Sequence, residues 1–519
     1  MEWAVARVIR HGAATRAGHA ALRFQDATFS YAALDACSNR VAHGILALGI
    51  RPGERIAVLG KNAPEQFEIL FGVSKAGAVF VPVNWRLAPR EIAFVINDSR
   101  ASVLFVSDEY AAIIDEIGNE LRWLNHIFVF GSAAEKANYA AWSKNQSDEG
   151  IETAIDPSEA VLQLYTSGTT GTPKGVMLTS RNLFTLFDRL GQYWRLDDNT
   201  RSIVCLPLFH IGGIGWGLAC MRFGGTAVLA HNFVAADVLR LIENEGATHI
   251  NLVPAMIRAM VESPEAPKHD YSSLHFVLYG TAPISKPLLI AALGAFKCPF
   301  VQVYGLTETT SAVTQLESAD HQVGGPREAL LRSAGRPYPW VEAKIVDPST
   351  LQPCPLGKTG ELWVRSGQNM KGYWMNDEAT AATIDESGWL RTGDCGYFDD
   401  EGYLFLTDRV KDMIVSGGEN VYPAEAEGLL AEHPLVAEVA VIGVPHPTWG
   451  ETPKAVVVLS PGGQISEQDL IGWLRTRLAH FKCPTSVEFV RELPRNAAGK
   501  VLKRVLREPY WKEHTRRIN

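Results

Sequence analysis

From Phe29 to Val303 the chain alternates helical and extended apolar patterns, and that alternation leaves few folds open. Ser30 is placed to cap a helix ending near Gly49, residues 55–59 read as a strand, and Pro64 suits the first turn of the next helix. Residues 78–83 are extended, Pro89 opens a helix to Ile96, and residues 101–106 are extended again. Strands joined in this way by helices predict a parallel sheet covered on its faces. A second alternation, through 235–245, 248–253, 254–261, 276–279, 285–296 and 300–303, predicts a second sheet of the same kind. No close internal repeat accompanies it, so the halves are alike in pattern only.

After about Arg332 the texture changes to short β-like segments at 342–346 and 360–365 and a hairpin at 396–406 that turns at Asp399-Asp400-Glu401-Gly402. Beyond Asp408 comes an α+β pattern, with strands at 436–444 and 454–459 and helices at 423–431 and 467–480. The expected class is therefore α/β. A large N-terminal domain (1–407) holds two helix-covered sheets and a small β-rich subdomain (about 332–407). A hinge at 408–412 leads to a small mobile α+β C-terminal domain (413–519).

The most chemically distinctive stretch is Tyr165-Thr166-Ser167-Gly168-Thr169-Thr170-Gly171-Thr172-Pro173-Lys174-Gly175. It follows a strand pattern at 160–164 and precedes helical spacing at 180–194, with Ser180 as the expected N-cap. Glycines let backbone N–H groups turn inward, hydroxyls add donors and Lys174 supplies charge, which suits a polyphosphate. A Walker A loop is excluded. In that spacing, counted from Gly168, Pro173 stands where glycine belongs and Gly175 where the hydroxyl belongs. A flexible surface turn would tolerate almost any order of small residues.

Composition narrows the function classes. The 519 residues are 46% hydrophobic and 20% charged, enough for large cores in more than one domain. The net charge of −8 argues against a general nucleic-acid binder. Seven scattered cysteines with no C-x-x-C pair predict a reducing compartment and no structural zinc. The N-terminus lacks a long apolar segment and the longest apolar run, 211–220, is interrupted by glycines, so no transmembrane segment is expected. The expected location is cytoplasmic, with room for peripheral membrane contact and for a homodimer.

Tyr165 to Gly175 together with Tyr304-Gly305-Leu306-Thr307-Glu308, Thr392-Gly393-Asp394, Asp408-Arg409-Val410-Lys411-Asp412 and residues 494–500 resembles the adenylate-forming enzymes. These are the acyl- and aryl-CoA synthetases, luciferases and peptide-synthetase adenylation domains. The resemblance covers essentially the whole chain, in the family's motif order. It implies a two-step reaction with ATP, Mg2+ and coenzyme A: a carboxylate attacks the α-phosphorus, pyrophosphate leaves, and a thiol then displaces AMP.

Each motif acquires an implied role from that resemblance. Thr166, Ser167, Gly168, Thr169, Thr170, Gly171 and Lys174 cradle the β- and γ-phosphates. Tyr304 and Gly305 lie against adenine, and Gly280, Thr281 and Ala282 line the adenine and substrate side. Thr307 adds a phosphate-bonding hydroxyl, and Glu308 is the magnesium carboxylate, a pairing that suits hard-cation catalysis. Asp394, in a turn before a strand, accepts the ribose hydroxyls. Arg409 also contacts ribose, beside a hinge at Lys411. Gly417 and Gly418 let the pantetheine arm pass, and Lys500 enters only for adenylation, where negative charge crowds. Without the motif order, several of these have ordinary readings: Tyr304 as packing, Asp394 as a loop carboxylate and Lys500 as a surface lysine.

The branch is read from Pro207-Leu208-Phe209-His210. Amino-acid-activating relatives carry an aspartate after the phenylalanine, so His210 implies an acid with no α-amino group and a role gating the thiol channel. Residues 211–218, Tyr279 and Ser311-Ala312-Val313 suggest an apolar acyl pocket. No carrier domain follows Lys500, which favours free CoA. The expectation is thus an ATP- and Mg2+-dependent acyl-CoA synthetase for a fatty or other hydrophobic carboxylic acid. The alternatives are an aryl or cinnamate CoA ligase and, in another class, a non-catalytic acyl-nucleotide binding protein.

Overall fold

Short apolar runs rich in Val, Ile and Phe, most of them followed by a helix, build two sheets in the larger part of the protein. The computed structural model describes residues 3–131, 138–151, 156–167, 173–282, 284–409, 412–416, 419–447, 449–478, 480–495 and 501–512. By contacts the chain forms two compact units, one of 1–342 with 365–390, the other of 343–364 with 391–519. The expected β-rich stretch 332–407 is divided between them, since Ala343–Val364 and everything from Arg391 group with the C-terminal segment.

In the first unit a seven-stranded sheet runs Gly372–Tyr373, Pro173–Thr179, Ala160–Ser167, Val79–Val83, Arg55–Leu59, Val103–Ser107, His126–Phe130. The strands from Ala160–Ser167 to His126–Phe130 are parallel. Val79–Val83 and Val103–Ser107 are buried throughout, as strands covered on both faces must be. A nine-stranded sheet has a parallel centre of Phe300–Leu306, Phe276–Gly280, His249–Leu252, Arg201–Val204 and Thr226–Leu229. It is extended by Ala20–Phe24, a strand the sequence pattern did not single out.

Ser30 caps Tyr31–Ala47 as expected, its side chain accepting from the Ala33 N–H at 3.1 Å. That helix is tied to Pro64–Lys75 by the fully buried Lys75, whose ammonium donates to Asp35 Oδ1, Ser38 Oγ and Asn39 Oδ1 at 2.6 to 2.7 Å. All seven cysteines are free. Among the described residues no helix is long and apolar enough to cross a membrane.

The second unit carries most of a four-stranded sheet, Glu342–Val346, Gly360–Arg365, Leu390–Phe398 and Leu404–Arg409. It also holds a five-stranded sheet whose core strands are Val436–His446 and Gly450–Leu459. Ile414, Val441, Val457, Leu470 and Leu474 form the core of this last layer. The helix expected over 467–480 stops at Arg475.

Candidate functional site

The stretch read as a phosphate loop between a strand and a helix is followed instead by a second strand. Ala160–Ser167 and Pro173–Thr179 pair antiparallel, with Tyr165 opposite Gly175 and Thr166 opposite Lys174. Val176 and Leu178 are fully buried, and this alternation commits 173–179 to a return strand before the helix can start. The helix Ser180–Tyr193 is capped by Thr179, not Ser180. Thr179 Oγ1 accepts from the Asn182 N–H at 3.0 Å while Asn182 Oδ1 accepts from the Thr179 N–H at 3.0 Å. Gly168, Thr169, Thr170 and Gly171 lie outside the described residues, as does the Ser167 side chain.

Thr166 and Lys174 share one face of this hairpin, and two more chain segments bring partners to it. Glu308 Oε1 accepts from the Tyr373 hydroxyl at 3.0 Å and lies 3.4 Å from Thr166 Oγ1. Lys174 Nζ stands 5.0 Å from the centre of the Tyr373 ring. Burial, then the Glu308 charge, pushes the Tyr373 phenol above its usual range, so it stays a donor. A hydroxyl, a cation, a carboxylate and a phenol therefore converge from three segments, with Thr166 and Glu308 separated by 142 positions and Glu308 and Tyr373 by 65. Tyr373 was missed in the sequence; its one signal is a tyrosine directly after Gly372 in an aromatic pair, which by itself reads as packing.

The turn carrying Thr307 and Glu308 is braced from both sides. Thr309 Oγ1 accepts from the Leu306 N–H at 2.9 Å and donates to the Ser311 carbonyl at 2.9 Å. Fully buried Gln368 donates to the Thr309 and Ala312 carbonyls at 2.9 and 2.7 Å. Glu308's own carbonyl accepts from the Met370 N–H at 2.8 Å. Thr310 and Ser311 adopt φ of 56° and 95°, a left-handed pair that turns the chain back into Ser311–Leu316. Gly305 sits under this turn, where a Cβ would lie 1.6 Å from the Ser311 carbonyl oxygen. Tyr304 pairs with Thr314 and is half-buried.

Gly280 ends the neighbouring strand, its Cα packed so that a Cβ would meet the Val303 carbonyl at 2.5 Å. Thr281 follows at φ 67°, a conformation that costs a β-branched residue about 1–3 kcal/mol and is characteristic of functional segments. Its hydroxyl donates to the Gly280 carbonyl at 2.6 Å, and Ala282 is exposed. Ser167, Gly280, Leu306 and Val204 all close parallel strands at their carboxyl ends, where open α/β sheets hold ligands.

His210 occupies the N-cap position of Ile211–Arg222 without a capping bond from its side chain, and its ring lies 4.5 Å from that of Phe209. Burial, with a smaller push from Arg86, lowers it to about 4, so it is a neutral imidazole near pH 7. Tyr279, expected to line the substrate pocket, is fully buried. Its hydroxyl lies 3.1 Å from Gln302 Oε1 and 3.0 Å from His321 Nε2, and its ring belongs to the apolar core. Ala312 and Val313 are buried too, as are Ile214, Trp216 and Leu218. Strands and helices covered on both faces consume these side chains, so their apolar character reports packing.

In the second unit Asp394 is buried inside the strand Leu390–Phe398 rather than in a turn before one, and it pairs with Arg409. The turn chemistry seen in the sequence survives within the strand. Gly393 takes φ 70° and donates to Glu361 Oε1 at 3.0 Å, and Thr392 Oγ1 accepts from the Asp394 N–H at 3.1 Å. Lys411, Gly417, Gly418 and Lys500, with the Arg409 side chain, lie outside the described residues. Among the described residues no group of three or more His, Cys, Asp and Glu side chains is placed to hold a metal ion.

Comparison with known proteins gives a concordant picture. The model of the AMP-binding enzyme family matches residues 9–374, and that of the AMP-binding enzyme C-terminal domain matches residues 425–500. The chain is 40% identical over 499 residues to a fatty acid–[acyl-carrier-protein] ligase, ScoC, of Streptomyces coeruleorubidus, covering 95% of this chain and 93% of that protein. It is 39% identical to a feruloyl-CoA synthase of an Amycolatopsis species, over 97% of each. Among solved structures, ATP-bound MatB of Rhodopseudomonas palustris superposes with a TM-score of 0.87 at 29% identity, covering 98% of this chain and 99% of that one.

Proposed function

We propose a reaction on the premise that this chain belongs to the AMP-binding enzyme family, the adenylate-forming ligases: it joins a hydrophobic carboxylic acid, a fatty acid in the first instance, to coenzyme A. A carboxylate oxygen of the acid bonds to the α-phosphorus of ATP as the bond to the bridging oxygen breaks, and pyrophosphate leaves. The CoA sulfur then bonds to the acyl carbon, the bond from that carbon to the AMP oxygen breaks, and AMP leaves.

The convergence of Thr166, Lys174, Glu308 and Tyr373 on one face of the hairpin carries this reading. Lys174 is a point charge for the departing β- and γ-phosphates, and the Thr166 hydroxyl is a donor to them. Glu308 fits Mg2+, which is commonly held by one or two carboxylates plus the substrate's own phosphate oxygens, and two neighbouring hydroxyl oxygens complete a hard-donor set. Bound there, Mg2+ would neutralise charge on the triphosphate. Tyr373 orients Glu308 by a single donated hydrogen bond. Neutral His210 offers no ion to a substrate ammonium, which supports an acid lacking an α-amino group. Asp394 is the acceptor for ribose hydroxyls, Thr307 a phosphate donor, and Tyr304 with Gly305 the adenine platform.

A cinnamate-type acid is the second reading, supported by the near-equal identity to the feruloyl-CoA synthase. The identity to ScoC raises a carrier-protein thiol as the alternative acceptor. The test is pyrophosphate release across fatty acids, benzoates and cinnamates, with no thiol, with CoA, and with a phosphopantetheine-bearing carrier protein. A fatty acid should support release, and CoA should convert it to thioester and AMP. Absence of release with every acid refutes the ligase reading, and thioester formation on the carrier alone refutes CoA as acceptor.

A further inference from the structure

The hairpin has two faces, and the second carries a closed polar ring. Because successive strand residues point to opposite faces, Tyr165 and Gly175 lie behind Thr166 and Lys174. Tyr373 pairs with Val176 and so shares the front face, which puts its neighbour Trp374 behind. On that rear side the Tyr165 hydroxyl donates to Asp98 Oδ2 at 2.6 Å and accepts from Gln163 Nε2 at 3.1 Å. Gln163 Oε1 accepts from Arg55 Nε at 3.1 Å. The Arg55 guanidinium stacks 3.3 Å from the centre of the Trp374 ring. Trp374 closes the circuit, its indole N–H donating to the Asp98 carbonyl at 3.0 Å and its backbone N–H to the Gly175 carbonyl at 2.7 Å.

Each connection has a steric or chemical reason. Gln163 is fully buried, and Gly175 leaves it room: a Cβ there would lie 2.6 Å from Gln163 Nε2 and 3.2 Å from the Tyr165 ring. Burial, then the hydrogen bond to Asp98, drives the Tyr165 phenol far above its usual range, so it remains a hydrogen-bond donor. Arg55 suits a stacked, directional position that lysine could not fill. Two ring members, Tyr165 and Trp374, and Gly175, whose carbonyl binds the Trp374 N–H, are the chain neighbours of the three front-face residues Thr166, Lys174 and Tyr373. A shift of the ring therefore moves the front face with it.

We infer that the ring Asp98–Tyr165–Gln163–Arg55–Trp374 is the positioning frame of the phosphate-binding face, setting the register of Thr166, Lys174 and Tyr373 on the triphosphate without touching it. The inference rests on the assignment of that face to ATP phosphates.

Two variants remove the same bond with little change of shape, Tyr165→Phe, which deletes the donor, and Asp98→Leu, which deletes the acceptor. In the full chain, equilibrium titration with ATP and separately with adenosine needs neither acid nor CoA. Each variant should weaken ATP binding roughly tenfold while adenosine binding is unchanged, and the double variant should be no weaker than the weaker single, as coupled partners are. Unchanged ATP affinity in both variants overturns the inference. So does an equal loss for ATP and adenosine, the signature of general loosening. If either single variant fails to fold, the other reads the same bond. A wild-type chain that binds ATP and releases no pyrophosphate with any acid would refute the ligase reading and leave this test standing.

Discussion

Gly305→Ala is the substitution whose outcome the structure determines most directly. An added Cβ would lie 1.6 Å from the Ser311 carbonyl oxygen and 2.5 Å from its carbon, against the 3.0 Å that real Cβ contacts respect. Both sides of the contact are backbone, so no rotamer change relieves it and the strands must part by about 1.4 Å, the difference between those two distances. That carbonyl is the acceptor for Thr309 Oγ1, which in turn holds the Leu306 N–H, so the displacement passes into the turn bearing Thr307 and Glu308. Misplacing reacting groups by about 1 Å costs on the order of 100-fold, or about 2.7 kcal/mol in the barrier. The assay is carboxylate-dependent pyrophosphate release, with kcat and the KM for ATP measured separately. Gly294→Ala is the control, because nothing lies within 4 Å of a Cβ there and a helix interior favours alanine. A Gly305→Ala protein with kcat/KM within about threefold of the control would refute the reasoning, since a backbone clash of this size cannot leave the turn in place.

Buried His249 makes a pH prediction. Its Nε2–H donates to the Trp194 carbonyl at 2.9 Å and its Nδ1 lies 2.6 Å from Thr248 Oγ1, and burial lowers it to about 4. The folded-state value lies below the unfolded one, so the stability it contributes is present above pH 6.5 and is lost as pH falls toward 4, about 3 kcal/mol in all. Urea midpoints of His249→Gln should fall less steeply than wild type over that window, and a difference that stays constant from pH 7.5 to 4.5 counts against it. Glu308→Gln keeps an acceptor for Tyr373 but loses the charge, so the Mg2+ concentration needed for half-maximal pyrophosphate release should rise roughly tenfold; an unchanged midpoint contradicts the assignment. Lys500→Ala should cut adenylation by about 100-fold or more and spare thioester formation from supplied acyl-adenylate, whereas equal loss in both half-reactions would contradict its role.

Local signals were legible in the sequence where one residue decides the outcome alone. Ser30 caps its helix through its own hydroxyl, and the strand at 55–59 needs only its apolar run. The hairpin return at 173–179 was not legible, because one proline, one glycine and two buried apolar residues resemble any loop approaching a helix. Tyr279 was misread for a related reason. A tyrosine at a strand end looks accessible until His321, 42 positions later, is found bonding its hydroxyl. Glu308's motif was readable, whereas its partner Tyr373 and the bond from Trp374 to Asp98, 276 positions apart, exist only once the sheet has brought them together.

The glycines of Ile211–Arg222 show why composition underdetermines a pocket. Four glycines in the first two turns cost about 1 kcal/mol each relative to alanine, so packing or function must require them. At Gly213 a Cβ would strike the Pro207 carbonyl at 2.2 Å, and at Gly217 it would strike the Phe67 ring at 2.6 Å. Those two are needed for the helix to lie against the strand end and against Pro64–Lys75. Gly212 has no such neighbour: the nearest atoms to its Cβ are Leu206 Cδ1 at 3.3 Å and Asn251 Nδ2 at 3.7 Å. The apolar stripe expected to wall the acyl pocket thus faces the core through Ile214, Trp216 and Leu218, and its part-exposed residues are Ile211 and Gly212, in the turn after His210. The uncharged imidazole of His210 beside that turn supplies no anion for a substrate ammonium, which supports the proposed acid without an α-amino group.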